Sequence, residues 1–187
     1  MHTVVEFKPQ PIVLTYDDYL RIPADGKNWQ ILEGTAIMTP APVVYHQRIS
    51  GNLFFLLSMH IRTKKLGELF DAPTDIVLSR TNIVQPDLVF ISTARSHIIQ
   101  EKAIMGIPDL VVEILSPTTR DIDETVKLQI YARHGVDYCW ILDPESTTLK
   151  EYELQGNIFM LDRTYKKNSS FTPKIFPELA INLEEIF

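Results

Sequence analysis

The chain has 187 residues, of which 45% are hydrophobic and 22% are charged, a composition that excludes a disordered or a fibrous protein. A single cysteine excludes an intramolecular disulfide, and no apolar run reaches the roughly 20 residues that cross a bilayer. The net charge of −6 counts against tight nonspecific DNA binding, which usually needs a basic face. The start lacks a secretory pattern, so we predict one cytoplasmic domain over residues 1–187 with no membrane partner.

The N-terminal part predicts a short helix followed by two strands. Residues 14–20 are expected to form the helix, with Thr15 as N-cap and Asp18 completing a capping box. Residues 29–38 have a Glu-Gly pair in their middle and a Pro-Ala-Pro segment after them, which favours two short strands joined by a tight turn.

The clearest helix pattern runs from residue 46 to about residue 65. Its apolar residues recur at steps of three and four, which is typical of one buried helical face. They are Ile49, Leu53, Leu56, Leu57 and Ile61. The same stretch contains a group of basic residues, which leaves room for a local basic groove despite the acidic net charge. They are Arg48, Arg62, Lys64 and Lys65.

The rest of the chain predicts strands around a second helix. The strand segments are 75–79, 86–91, 109–115, 137–143 and 148–154. Residues 110–115 are almost continuously apolar, as expected of a central strand covered on both faces. Residues 121–134 predict the helix, with Ile122, Val126 and Ile130 as its buried stripe and Gly135 as its C-terminal stop. This order predicts an α/β or α+β core with a mixed sheet.

Two carboxylates interrupt the apolar strands, Asp87 after Pro86 and Glu113 inside the predicted central strand. A buried carboxylate is costly unless it is paired or bound to a cation. If the two strands are neighbours, both groups converge at one end of the sheet, where Mg²⁺ would relieve their repulsion and support phosphodiester hydrolysis. The alternative, which the positions alone favour slightly, is that Asp87 caps a turn and Glu113 pairs with a structural Arg or Lys.

Six segments resemble successive motifs of one protein family, in the family's order. They are residues 38–42 followed by His46, then 67–78, 82–90, 108–120, 121–131 and 135–144. The family is the Uma2 family, formerly a domain of unknown function, in the PD-(D/E)XK nuclease superfamily. The resemblance covers nearly the whole chain. It implies a restriction-endonuclease-like fold of the α/β (α+β) class, with a central mixed sheet flanked by helices and a metal site at strand ends.

Carried over residue by residue, the resemblance implies that Asp87 and Glu113 are catalytic and bind Mg²⁺ or Mn²⁺ together with the backbone carbonyl of Ile114. Leu115 stands where the simplest pattern has a lysine. The chain is similar to superfamily members whose lysine has moved to the following helix, which implies that Lys127 takes the catalytic role.

Other roles remain open for several of these residues. Lys127 follows Asp123 by four residues and could instead form an exposed ion pair. His46 is a candidate to contact a phosphate or a metal-bound water, or else a cap or packing residue. Gln30 stands where the family usually has Glu, which leaves an auxiliary acid there in doubt, and Asp75 is either a third acid or a turn residue.

The resemblance implies a metal-dependent endonuclease that hydrolyses phosphodiester bonds in DNA. By analogy with many nucleases of the superfamily, it also allows a homodimer with two active centres. Two alternatives stay open at this point. One is a catalytically weak or inactive member that serves as a binding or assembly module, and the other is a metal-dependent phosphoesterase that acts on RNA or a small substrate.

Overall fold

The computed structural model describes residues 12–23 and 26–187, so residues 1–11 of the predicted domain lie outside it. Its three α-helices are α1 (Tyr16–Tyr19), α2 (Val44–Lys64) and α3 (Leu128–His134). Its strands are β1 (Asn28–Leu32), β2 (Thr35–Thr39), β3 (Gly67–Asp71), β4 (Ile76–Ser79), β5 (Asn82–Val84), β6 (Leu88–Ser92), β7 (Leu110–Ile114), β8 (Tyr138–Asp143), β9 (Thr148–Gln155), β10 (Ile158–Lys166), β11 (Ser170–Phe171) and β12 (Ile181–Asn182).

A six-stranded sheet in the order β10-β9-β8-β7-β6-β3 forms the centre of the structure. Its neighbouring strands are antiparallel except β7 and β8, which are parallel. Parallel neighbours need a long crossover connection, and the segment that contains α3 supplies it. The predicted mixed sheet is therefore confirmed. A second sheet has the order β2-β1-β5-β4, and β11 pairs with β12.

Helix α2 covers one face of the central sheet. Its buried residues Ile49, Leu53, Leu57 and Ile61 are the ones that the helical pattern indicated, and they share one core with Leu110, Val112 and Ile114 of β7. The helix begins at Val44, two residues before the predicted start, and ends at Lys64, with Lys65 as its C-cap in the left-handed conformation.

Helix α3 and the four-stranded sheet cover the other face. Ile130 and Tyr131 of α3 share a core with Val111 and Leu115 from the region of β7. The four-stranded sheet adds Leu32, Ile76, Leu78 and Val84 to the same core. All five residues of β7 are buried, as expected of a strand covered on both faces. The fold is thus a mixed sheet flanked by helices.

The predicted helix 121–134 is in fact two segments. Residues Ile122–Lys127 form a π-helical turn, and α3 follows directly. The prediction of Val126 in the buried stripe is wrong, because its side chain is exposed, whereas Asp123 and Lys127 are buried. A π-helical turn contains more residues than an α-helical turn, so the apolar spacing of an α-helix does not apply there. Gly135 ends the helix as predicted.

The predicted N-terminal elements are confirmed. Thr15 and Asp18 form the capping box of α1. The turn between β1 and β2 places Glu33 at φ 51° and Gly34 at φ 76°, and positive φ at both central residues matches the twist of a two-residue hairpin. In the described ranges, no helix is both long enough and apolar enough to cross a membrane.

Candidate active site

The candidate site lies beside Ile114, at the end of β7. The antiparallel pairing of β6 with β7 runs as far as Leu88 opposite Val112, so Ile114 lies two residues beyond it. Side chains bind its backbone groups there. The amide N–H of Ile114 donates to Asp87 Oδ2 at 2.7 Å, and its carbonyl oxygen lies 2.9 Å from His46 Nε2. The two neighbouring strands therefore bring Asp87 next to the residue that follows Glu113.

Asp87 immediately precedes β6, and its side chain is 19% exposed. Its Oδ2 accepts the Ile114 N–H, and its Oδ1 lies 3.3 Å from His46 Nε2. The carboxylate thus joins β6, β7 and α2, so it does more than cap a turn after Pro86. It also reaches solvent, as a group that meets a substrate must.

Glu113 lies in a buried polar cluster on the face covered by α3. Its Oε1 accepts a hydrogen bond from the Tyr131 hydroxyl at 2.5 Å, and its Oε2 accepts from Lys127 Nζ at 3.0 Å. Burial raises the pKa of Glu113 to about 8. Lys127 opposes this shift, and the negative charges of Asp123 and Asp87 add to it.

Lys127 completes this cluster. Its Nζ lies 3.0 Å from Asp123 Oδ1 as well as 3.0 Å from Glu113 Oε2, and its side chain is 4% exposed. Burial acts to lower the pKa of Lys127, but the two carboxylates outweigh burial and raise it. The ion pair with Asp123 exists, yet it is buried rather than exposed. Lys127 is therefore a buried ammonium in contact with Glu113.

The structure brings His46 to the site but leaves Gln30 and Asp75 elsewhere. Gln30 Oε1 accepts from the Gln85 amide at 2.9 Å. Asp75 Oδ1 accepts from the Tyr19 hydroxyl and from the Gln85 side chain, both at 2.7 Å. In the described part of the chain, none of these bonds reaches Asp87. Gln30 and Asp75 form a separate hydrogen-bonded group around Gln85.

Tyr131 contacts the candidate site, and the sequence argument did not single it out. Its ring is fully buried with the apolar residues of α3, so a helical pattern assigns it to the core. One signal was available, because Asp123, Lys127 and Tyr131 follow one another at intervals of four. Lys127 contacts Asp123, and both Lys127 and Tyr131 contact Glu113.

The chemistry of the donor set fits a hard divalent cation. The Asp87 carboxylate, the Glu113 carboxylate and the Ile114 carbonyl are oxygen ligands, which Mg²⁺ and Mn²⁺ prefer. No group of three or more His, Cys, Asp or Glu side chains suited to a metal occurs within the described ranges. Since Mg²⁺ is usually held by one or two carboxylates and keeps several waters, two side chains and one carbonyl suffice for it.

The comparisons with known proteins agree with this architecture. The chain is similar over 93% of its length to 97% of a crystal structure titled as a putative nuclease belonging to DUF820 from Anabaena variabilis ATCC 29413, with a TM-score of 0.75 and 21% identity. No curated protein matches it. The Uma2 family model, described as "Putative restriction endonuclease", matches residues 16–184. With nearly the whole chain matched, the protein belongs to the Uma2 family and has a restriction-endonuclease-like fold.

Proposed function

We propose that the protein is a metal-dependent endonuclease that hydrolyses phosphodiester bonds in DNA. In this proposal Asp87, Glu113 and the carbonyl of Ile114 hold Mg²⁺ or Mn²⁺. The observation that carries it is the junction at Ile114, where the Asp87 carboxylate binds the amide of the residue next to Glu113, while Lys127 binds Glu113 from the other side.

A cation held by these residues would activate a water for attack and would stabilise charge on the phosphate. The protein's own contribution begins with Asp87, which is partly exposed and faces the solvent side of the junction. Lys127 holds a positive charge next to Glu113, and a fixed charge of this kind stabilises an anion that develops nearby without reorganisation. Tyr131 holds the Glu113 carboxylate in place through its hydroxyl.

One observation favours a second candidate, a nuclease-fold binding module without catalysis. Each carboxylate already has donors within the protein: Ile114 N–H and His46 for Asp87, and Lys127 and Tyr131 for Glu113. The ion pair of Glu113 with a lysine is also what a structural role requires, and the net charge of −6 disfavours DNA as the partner.

Metal binding separates the two candidates. Calorimetric titration with Mn²⁺ is expected to show binding to the wild type and loss of binding in Asp87→Asn and Glu113→Gln. The matched controls are Asp162→Asn and Glu153→Gln, which change two acids of the β9–β10 hairpin that pair with Lys174. Both variants should bind Mn²⁺ as the wild type does. A wild type that binds no Mn²⁺ contradicts the nuclease and favours the binding module.

Cleavage assays then test the substrate. Supercoiled plasmid is incubated with the protein and Mg²⁺ or Mn²⁺, in parallel with RNA and with a small phosphodiester. Nicking that is lost in Asp87→Asn and kept in Asp162→Asn supports the endonuclease. Firm Mn²⁺ binding with no cleavage of any DNA form contradicts the DNA substrate, and cleavage of RNA or the small ester then identifies the phosphoesterase. The homodimer and the cytoplasmic location remain predictions, the first open to sedimentation analysis.

A further inference from the structure

His46 contacts two of the three oxygen groups that the proposed metal site requires. It lies in the first turn of α2, and its side chain is 10% exposed. Its Nε2 lies 2.9 Å from the carbonyl oxygen of Ile114 and 3.3 Å from Asp87 Oδ1. One ring nitrogen thus lies between a carbonyl and a carboxylate that come from different strands.

The partners of Nε2 determine its protonation. A backbone carbonyl can only accept hydrogen bonds, so Nε2 must carry a hydrogen and donate it. A ring nitrogen that carries a hydrogen has no lone pair to offer a metal. The imidazole as it stands is therefore a donor to the oxygens and not a metal ligand.

The other ring nitrogen does not anchor the imidazole. His46 Nδ1 is buried and has no hydrogen-bond partner in the part of the chain that the structure describes. Hydrogen bonding therefore holds the ring in place through Nε2 alone. A ligand that displaces Nε2 from its two oxygens would break no other hydrogen bond of this side chain.

We propose that His46 is a positioning residue that competes with the cation for the Ile114 carbonyl and the Asp87 carboxylate and is displaced when the cation binds. This inference rests on the proposed function, because it concerns the same oxygens. The imidazole N–H lies between the Ile114 carbonyl oxygen and Asp87 Oδ1, at 2.9 Å and 3.3 Å from Nε2. A cation bound to both oxygens would take the place of Nε2, so His46 competes with the metal.

The test is the Mn²⁺ dissociation constant of the wild type, His46→Leu and His46→Gln, measured by calorimetry. Leucine removes the competing donor, and we expect it to tighten Mn²⁺ binding about tenfold, since the net value of one or two hydrogen bonds is of that order. Glutamine keeps an N–H donor on a side chain of similar reach, so His46→Gln is expected to bind as the wild type does. Gln47→Leu, at the exposed neighbour, is the matched control and should change nothing.

The outcomes separate this inference from the proposed function. Tighter Mn²⁺ binding in His46→Leu than in the wild type supports the inference. Wild-type binding that His46→Leu leaves equal or weakens overturns the inference and leaves the metal site standing. Absence of binding in both proteins overturns the metal site and the inference together.

A second measurement keeps the inference testable if His46→Leu fails to fold. The ¹⁵N NMR signals of the His46 ring are followed in the wild type during titration with Mg²⁺, which is diamagnetic. We expect the Nε2 signal to lose its hydrogen-bonded shift as the site fills. A ring whose Nε2 signal is unchanged at saturating Mg²⁺ overturns the inference, because the imidazole then stays on its two oxygens.

Discussion

Replacement of Lys127 by Met should destabilise the protein strongly. Lys127 Nζ lies 3.0 Å from both Glu113 and Asp123, and opposite unit charges at that distance attract by about 5 kcal/mol per contact at an effective dielectric constant of about 20. Desolvation of the ammonium offsets much of this, so loss of one partner of a buried pair costs about 3–5 kcal/mol. Burial raises the pKa of Glu113 and Lys127 opposes that shift, so this carboxyl takes up a proton more readily once the ammonium is removed, and we expect a loss at the lower end of this range, about 3 kcal/mol.

Urea unfolding followed by circular dichroism measures this loss as a lower midpoint at an unchanged slope. Lys174→Met is the matched control, because Lys174 also bridges two carboxylates, Glu153 at 2.7 Å and Asp162 at 2.8 Å, but its side chain is 41% exposed. An exposed pair contributes at most about 1 kcal/mol. A loss below about 1 kcal/mol in Lys127→Met would refute the reasoning, because the cluster would then behave like a surface ion pair.

Three further variants test other contacts of the structure. Tyr131→Phe leaves Glu113 without its hydroxyl donor, so the free energy of unfolding should fall by about 2 kcal/mol. An unchanged urea midpoint would contradict this hydrogen bond. Hydrogen bonds from Arg120 hold the pKa of Asp143 far below its usual value of 3.8. Asp143→Asn should therefore lower the free energy of unfolding by about 1–2 kcal/mol at pH 7. This stabilisation is present above pH 3.8 and shrinks as the pH falls below it, so thermal melts at pH 7 and pH 3 should differ in the size of the loss. Gly135 has φ 88° and open space at its Cβ position, so Gly135→Ala should cost about 1 kcal/mol through backbone strain alone, and an unchanged melting temperature would contradict that.

The sequence predicts those parts of the fold in which burial follows a regular period. Helix α2 shows its buried face at steps of three and four, and β7 is apolar throughout, so both were predicted within about two residues of their ends. The same regularity indicated the candidate site, because Asp87 and Glu113 are the acids that interrupt apolar strands. The pairing of β6 with β7 confirms that the two strands are neighbours, with Asp87 immediately before β6 and Glu113 within β7.

Elements without a regular period were not predicted. Strand β10 is mostly exposed along its nine residues, and β5 has only three residues, so neither shows alternation between a buried and an exposed face. The π-helical turn at Ile122–Lys127 was not predicted either, because its residues do not follow the period of an α-helix. Contacts between distant residues are also beyond pattern analysis: His46 meets Ile114 across 68 positions, and nothing in the local sequence of either residue indicates it.

The position of Lys127 on the crossover between β7 and β8 ties the route of the chain to the chemistry of its site. A chain that leaves one strand and enters its parallel neighbour has to travel back along the sheet, so it passes over the strand that it has just left. Because that return path is helical, Lys127 reaches Glu113 from 14 positions further along the chain. The lysine therefore does not have to lie on a strand of the sheet. The segment between the two residues can differ in length, provided that the same face of the helix lies over the carboxylate.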